Sequence, residues 1–418
     1  MNNKNIQQKK QKYYLKQDGG EFLGAGSFGC VLKPNIPCNG SKNSRKSSNK
    51  SKLNNKNIIS KISTYNTYDT DKLNDIYEEL HMGSKVHKLD KKCKYLCPII
   101  KYCNIDVGDL QVRDDIKFKN LKDMEDVDLE YKSTEYEKKC IFNVNENFTT
   151  INLISHYAGP DLNVFFKEKS NDFKKYNKLL INDFKYIIKD LLSGLYILHK
   201  NKITHKDIKL NNICILIKNN RPLVRYIDFG LSEDLNELKP SFNNINNSGT
   251  PSYMPPDFLI LIEMKKQKFN TLINRRSIHA NIINKLFNSI KSNLSTFTNK
   301  GLNQTYLKGN FDTINSGLYI DKSKHSNYFI TKNDVSNIFS FILNLYKNDE
   351  LLKFYFKPMI GLNPKFDIFG LGLVIFELKK TLKIKDILLV NLLKNMLELN
   401  SINRFSVDEC LEHFYIEN

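Results

Sequence analysis

Short apolar stretches flank a glycine-rich turn over residues 21–33, a pattern that predicts a strand, turn, strand unit. Residues 57–63 alternate enough for a further strand. Over 71–89, Leu73, Ile76, Leu80 and Val86 recur near helical spacing behind Asp71, so a helix is expected there. Strand-like segments return at 140–144 and 151–157. From 182 to 199, Phe184, Ile187, Ile188, Leu191, Leu192, Leu195 and Leu198 define one long amphipathic helix. Two stretches break the pattern. Residues 34–56 are Ser, Asn and Lys with almost nothing apolar and read as a disordered loop, and 104–139 is a charged interruption. Strands with one helix among them thus precede a region dominated by helices, an α+β order that suggests a small sheet-rich lobe joined to a larger helical one.

The later chain adds amphipathic helices at 277–294 and 334–356. The longest apolar run, 366–378, carries Asp367 and is too short to cross a bilayer, so it reads as a buried helix. The first residues are polar and basic and lack the apolar core of a secretory signal, so the expected address is intracellular and soluble, with no membrane. Hydrophobic residues make up 40% and charged residues 26%, an ordinary globular balance. The net charge of +19 raises nucleic acid as a partner, but the Lys residues are spread through loops, which favours a compositional origin. The eight cysteines are scattered. Cys93, Cys97 and Cys103 have no matching Cys or His pair at zinc spacing, so reduced thiols are expected.

The candidate chemistry begins at Gly24-Ala25-Gly26-Ser27-Phe28-Gly29, followed by Cys30 and Val31. A glycine hairpin lets backbone N–H groups approach phosphates without interference from Cβ. Here a return strand follows rather than a helix, which argues against a dinucleotide fold. Lys61 is the one cation in the apolar strand Ile58-Ile59-Ser60-Lys61-Ile62. Beside the hairpin its ammonium could reach phosphates, with Glu79 or Glu78 holding it. Glu79 is preferred because it leaves Leu80, Met82 and Val86 on the apolar face. The most specific segment is His205-Lys206-Asp207-Ile208-Lys209-Leu210-Asn211-Asn212, with Asp228-Phe229-Gly230 beyond it. Phosphoryl transfer needs a carboxylate to orient a hydroxyl and take its proton, oxygen ligands for a metal, and cations to offset charge. Asp207 can do the first, Asn212 and Asp228 the second, Lys209 and Lys61 the third.

In this order the residues resemble the eukaryotic-type serine/threonine protein kinase family, in a divergent, giant-DNA-virus-like form. Gly249-Thr250-Pro251-Ser252-Tyr253-Met254-Pro255-Pro256-Asp257 resembles the end of that family's activation segment, and Asp367 and Arg404 match two of its later positions. The resemblance implies a bilobal protein kinase fold: a flexible basic segment at 1–19, an N-lobe at 20–157 with insertions at 34–56 and 104–139, and a C-lobe at 158–418 with a helical insertion at about 260–360. It implies transfer of the γ-phosphate of ATP, with Mg2+, to Ser or Thr hydroxyls of protein substrates, in a host cytoplasm or virion if viral. Asp207 would be the proton acceptor, assisted by Lys209. Nucleotide would be held by Leu23, Gly24, Ala25, Gly26, Ser27, Phe28, Gly29, Cys30, Val31, Lys61, Glu79 and the backbone at Ala158, and metal by Asn212 and Asp228. Ile59 and Cys214 would flank the adenine, Asp161 would approach the ribose, Asp367 would brace the catalytic loop, and Arg404 would pair with Asp257. Lys209 and Thr250 suit Ser/Thr acceptors.

Several positions depart from the family pattern. Lys206 stands where the family carries Arg, so planar capture of an activation-loop phosphate is weakened, and activity is expected to depend little on phosphorylation there. Ser232, Ser241 and Ser248 are the candidate modification sites. Between Asp257 and Asp367, where the family has a short connection, the inserted helices are expected to pack on the lower lobe. The rival from another class is a catalytically silent pseudokinase, disfavoured because Lys61, Asp207, Asn212 and Asp228 are all present.

Overall fold

The structure, a computed structural model, describes residues 21–26, 29–33, 35–36, 57–66, 68–105, 116–120, 140–144, 148–166, 170–245, 248–250, 253–266 and 332–417. The basic segment at 1–19, nearly all of the polar loop at 34–56, most of 104–139 and the helix expected at 277–294 lie outside them. The chain forms two compact units, Met1–Ala158 and Gly159–Asn418.

In the first unit, strands β1 (Glu21–Gly26), β2 (Gly29–Lys33), β3 (Ile58–Asn66), β4 (Ile99–Ile105) and β7 (Phe148–His156) form an antiparallel sheet in the order β1-β2-β3-β7-β4. Helix α1 (Thr70–Leu89) lies between β3 and β4 in the chain. The two-residue period of β3 separates the sheet faces. Ile62 joins Cys30, Leu32 and Ile105 in one buried cluster, while Tyr65, Ile151 and Leu153 pack with Ile76, Leu73 and Leu80 of α1 on the other face. Lys61 is in register with Val31 and Leu153, so it shares the face covered by α1. Strands β5 (Ile116–Asn120) and β6 (Cys140–Val144) pair in parallel as a separate ribbon, which puts a strand inside the stretch expected only as a charged interruption.

The thiols divide. Among the described residues Cys93, Cys97, Cys214 and Cys410 are in no disulfide, but Cys30 and Cys103 are disulfide-bonded, which corrects the expectation of reduced thiols for those two.

The second unit is mostly helical: α2 (Leu162–Phe165), α3 (Asn171–Asn182), α4 (Phe184–Lys200), α5 (Pro256–Lys266), α6 (Lys332–Lys347), α7 (Leu351–Tyr355), α8 (Leu362–Thr381), α9 (Ile387–Met396), α10 (Val407–Leu411) and α11 (Phe414–Glu417). Short antiparallel pairs join β8 (Ile203–Thr204) to β11 (Glu233–Asp234) and β9 (Ile213–Lys218) to β10 (Arg221–Tyr226). Helix α8 is buried along most of its length. The helix expected from 182 to 199 starts only at Phe184. Asp183 closes α3 and opens α4, and α3 itself was not expected.

The helix expected over 334–356 is two helices. Asp349 takes φ +57°, Glu350 N donates to Leu345 O at 2.9 Å and Asp349 N donates to Tyr346 O at 3.1 Å, the paired bonds of a left-handed helix stop. Ile338, Phe339, Ile342 and Leu343 of α6 pack with Phe258, Ile260 and Leu261 of α5 in one buried cluster that also takes in Leu351 and Tyr355 of α7. This part of the long segment after Asp257 is therefore core rather than a loose appendage. The fold is α+β, a small sheet-rich unit with one main helix followed by a larger, mostly helical unit. Among the described residues, no helix is long and apolar enough to cross a membrane.

Candidate active site

In the first unit the glycine hairpin pairs Gly24 with Val31, Ala25 with Cys30 and Gly26 with Gly29, while Ser27 and Phe28 at its tip lie outside the described residues. The register slips between Phe22 and Gly24, and Leu23 at that slip is 39% exposed. Lys61 Nζ is 2.9 Å from Glu79 Oε1, and Glu78 is an exposed residue on the same helix. Tyr157 N donates to Asn57 O at 2.8 Å, and Lys33 Nζ stands 3.4 Å over the Tyr157 ring. Ala158 is buried.

The second unit opens with Gly159 at φ +102°. A Cβ there would meet Ile215 O at 2.0 Å, so this backbone passes β9 only as glycine. Asp161 caps α2 through Val164 N at 2.9 Å, and the buried Cys214 bridges to it.

The loop from His205 to Asn212 is fixed from below by Asp367 on α8. Asp367 Oδ2 accepts from His205 N at 2.8 Å and His199 Nε2 at 3.0 Å, and Oδ1 accepts from Lys206 N at 2.8 Å. Its carboxylate is fully buried. Burial alone would raise its pKa, but the hydrogen bond and charge of His199, with the bonds from the loop, hold it below the usual carboxylate value. These bonds stabilise the left-handed Lys206, at φ +67°.

Asp207 then faces three partners. Lys209 Nζ lies 2.7 Å from Oδ2, Asn212 Nδ2 donates to Oδ2 at 2.7 Å, and Thr250 Oγ1 donates to Oδ1 at 2.6 Å. Lys209 Nζ also donates to Thr250 Oγ1 at 2.9 Å, closing a triangle. Gly249, at φ +111°, lets the Thr250 segment approach, because a Cβ there would lie 2.5 Å from Lys206 O. Sequence reasoning valued Thr250 only for acceptor class, whereas here it bonds the carboxylate itself.

Asn212 commits its Nδ2 to Asp207, including the Asp207 carbonyl at 2.9 Å, which leaves its Oδ1 as an oxygen donor. Ile227 N donates to Asn212 O at 3.0 Å, and the next residue, Asp228, takes φ +63°. A carboxylate and an amide oxygen are the hard donors that suit Mg2+, so these residues fit that ion. The His205 ring sits 5.0 Å from that of Phe229, and its Nε2 donates to Ile227 O at 3.1 Å.

Farther along, Arg404 Nη2 donates to Asp257 Oδ1 at 3.1 Å, while Asp257 Oδ2 accepts from Ser401 N at 2.9 Å. Asp257 is thus a one-point partner of Arg404, and the other Arg404 donors go to the carbonyls of Glu398, Lys365 and Leu399. Tyr253 Oη donates to Glu377 Oε1 at 3.0 Å, a pair that sequence reasoning missed because Glu377 looks like any polar residue near a helix end.

Residues 116–297 match the protein kinase domain family. The match takes in less than half of the chain, and within it these residues are similar to a protein kinase domain. The matched part of the domain holds Ala158, Asp207, Lys209, Asn212 and Asp228, and leaves Lys61, Glu79 and the glycine hairpin outside. Over 188 residues the chain is 30% identical to human death-associated protein kinase 2, covering 44% of this chain and 48% of that one. It is 40% identical over 74 residues to calcium-dependent protein kinase 4 of Plasmodium falciparum, 18% of this chain and 13% of that one. It is 36% identical over 90 residues to probable serine/threonine-protein kinase mkcB of Dictyostelium discoideum, 22% of this chain and 11% of that one. Each of these matches spans less than half of the relative's length.

Proposed function

We propose that this protein transfers the γ-phosphate of ATP to serine and threonine hydroxyls of protein substrates. The observation that carries the reading is the triangle of Asp207, Lys209 and Thr250, with Asn212 bonded to the same carboxylate. Asp207 orients the acceptor hydroxyl and takes its proton, while Lys209 offsets negative charge on the group in transfer. Lys61, held by Glu79, and the glycine hairpin of residues 24–29 are assigned to the phosphates, with Leu23, Val31 and Ala158 around the nucleotide; Cys30, expected there too, turns its side chain into the cluster on the opposite sheet face and is left with its backbone alone. Mg2+ on Asn212 and Asp228 would supply charge neutralisation at the phosphates. The sequence resemblance and the protein kinases among the relatives, one of them named as a probable serine/threonine-protein kinase, support this reading. The giant-virus-like attribution rests on composition and divergence, and none of the relatives bears on it.

Incubation with γ-labelled ATP and generic protein acceptors tests it, with Asp207→Ala alongside. Labelled phosphoserine or phosphothreonine from wild type and none from the variant is expected. Equal label from both would defeat the reading, and no label from either would favour a pseudokinase scaffold.

A further inference from the structure

Lys206 is fully buried, and what surrounds its ammonium comes from three separate parts of the chain. Nζ donates to Tyr355 Oη at 3.1 Å and lies 3.6 Å from Glu233 Oε2. The rings of Phe258, Phe366 and Tyr355 have their centroids 4.5, 5.2 and 5.6 Å from it. A cation removed from water needs a counter-charge and donors matched to acceptors, and ring faces supply further attraction. Burial pushes the Lys206 pKa down, and the Glu233 and Asp367 charges oppose that fall.

The partners are themselves fixed. Asn363 Nδ2 donates to Glu233 Oε2 at 2.7 Å, and Glu233 stands opposite Thr204, the residue before the catalytic loop. Tyr355 closes α7, in the long segment between Asp257 and Asp367, and its ring stacks on Phe258 at 6.2 Å. The compact ammonium fits this cage, where a planar guanidinium is wider. Of the three candidate serines, Ser232 donates to the His205 carbonyl at 3.3 Å and Ser241 accepts from Asn243 N at 3.3 Å, so neither turns its hydroxyl to Lys206, while the Ser248 hydroxyl is buried with no hydrogen-bond partner among the described residues.

We propose that Glu233 and Tyr355 are positioning residues that hold the Lys206 ammonium, so that the catalytic loop reaches its working geometry with no phosphate on the activation segment. This rests on the kinase reading of Asp207. The extra segment contributes part of what keeps the loop in place, and the charge that would receive a phosphate is already enclosed.

The test uses the full chain as wild type, Glu233→Gln, Tyr355→Phe and Asp207→Ala. Label transfer is measured before and after phosphatase treatment, and hydrogen exchange is measured at the His205 and Lys206 amides. Glu233→Gln keeps the shape and the bond from Asn363, and Tyr355→Phe keeps the ring, so both should fold. Phosphatase should leave the wild-type rate within about twofold. Glu233→Gln should lower kcat by about tenfold and Tyr355→Phe by about threefold, with KM for ATP unchanged and faster exchange at both amides. Loss of wild-type activity on phosphatase treatment would overturn the proposal, as would wild-type kcat and wild-type exchange in both variants. If wild type transfers no more label than Asp207→Ala, the kinase reading falls. The exchange data then still judge the positioning role, and unchanged exchange sinks it.

Discussion

Lys61 and Lys206 each face a glutamate, one in each unit, yet the two pairs are built differently. Lys61 projects from a strand toward one carboxylate at 2.9 Å, with the two side chains 20% and 12% exposed. Lys206 has no exposed side-chain surface, keeps its carboxylate at 3.6 Å, and adds a tyrosine hydroxyl and three aromatic rings. Ion pairs open to water contribute about 0–1 kcal/mol, whereas breaking an enclosed one costs about 3–5 kcal/mol. The first arrangement fixes the direction of the ammonium while leaving part of it open, as the proposed phosphate contact requires. The second suits a cation whose work is to keep a loop still. In the second unit polar groups are structure first, and that gives ways to break the contrast.

The largest expected effect is at Asp367. Asp367→Ala would strand two backbone N–H groups and His199 in the interior, lowering the thermal midpoint of the second unit by roughly 10 °C. The pH dependence carries the same signature. The folded pKa of Asp367 lies below its ordinary value, so its contribution is full above that value and is lost as pH falls through the folded one. Calorimetry in acid should show wild type losing stability faster than Asp367→Asn.

Glu377 is the opposite case within the same unit. Burial raises its pKa from 4.5 to about 8, against smaller opposing effects of the Tyr253 bond and Lys380. Its folded form therefore resists ionisation, and stability falls as pH rises from 4.5 to about 8. Glu377→Gln should match wild type in mild acid and exceed it increasingly up to about pH 8, after which the gap stays constant. Thermal midpoints taken across that range check it.

The smallest change in stability is expected in the first unit. Glu79→Gln should move the thermal midpoint by less than about 2 °C, because its pair with Lys61 is partly solvated. Phosphoryl transfer should nonetheless fall by more than about tenfold, since Lys61 loses its fixed direction. Equal loss of stability in Glu79→Gln and Asp367→Ala would erase the distinction between the units.

How much of this was legible in the sequence follows from the same contrast. The β1–β2 hairpin, β3 and α1 announce themselves through periodicity, and Asp207, Asn212 and Asp228 through spacing, because a loop that bonds itself locally must keep its residues at fixed intervals. Partners supplied from far along the chain leave no such trace. Tyr355 is 149 positions from Lys206, and Thr250 is 43 from Asp207. Helix α3 was missed because it buries only Leu180, its other apolar residues, Phe173, Tyr176, Leu179 and Ile181, being half-buried or exposed. The break at Asp349 was missed because a left-handed stop can be made by Asp as well as by Gly, and the apolar period runs on past it. Cys30 and Cys103 are far apart in sequence and nothing local marks their oxidation.

Single-turnover phosphate transfer by Asp207→Asn, a change of one atom in a side chain held by Lys209, Asn212 and Thr250, probes the central assignment most directly. A loss of at least about 10³-fold in rate, with nucleotide affinity and thermal midpoint near wild type, is what the account predicts. Transfer at close to the wild-type rate would contradict it.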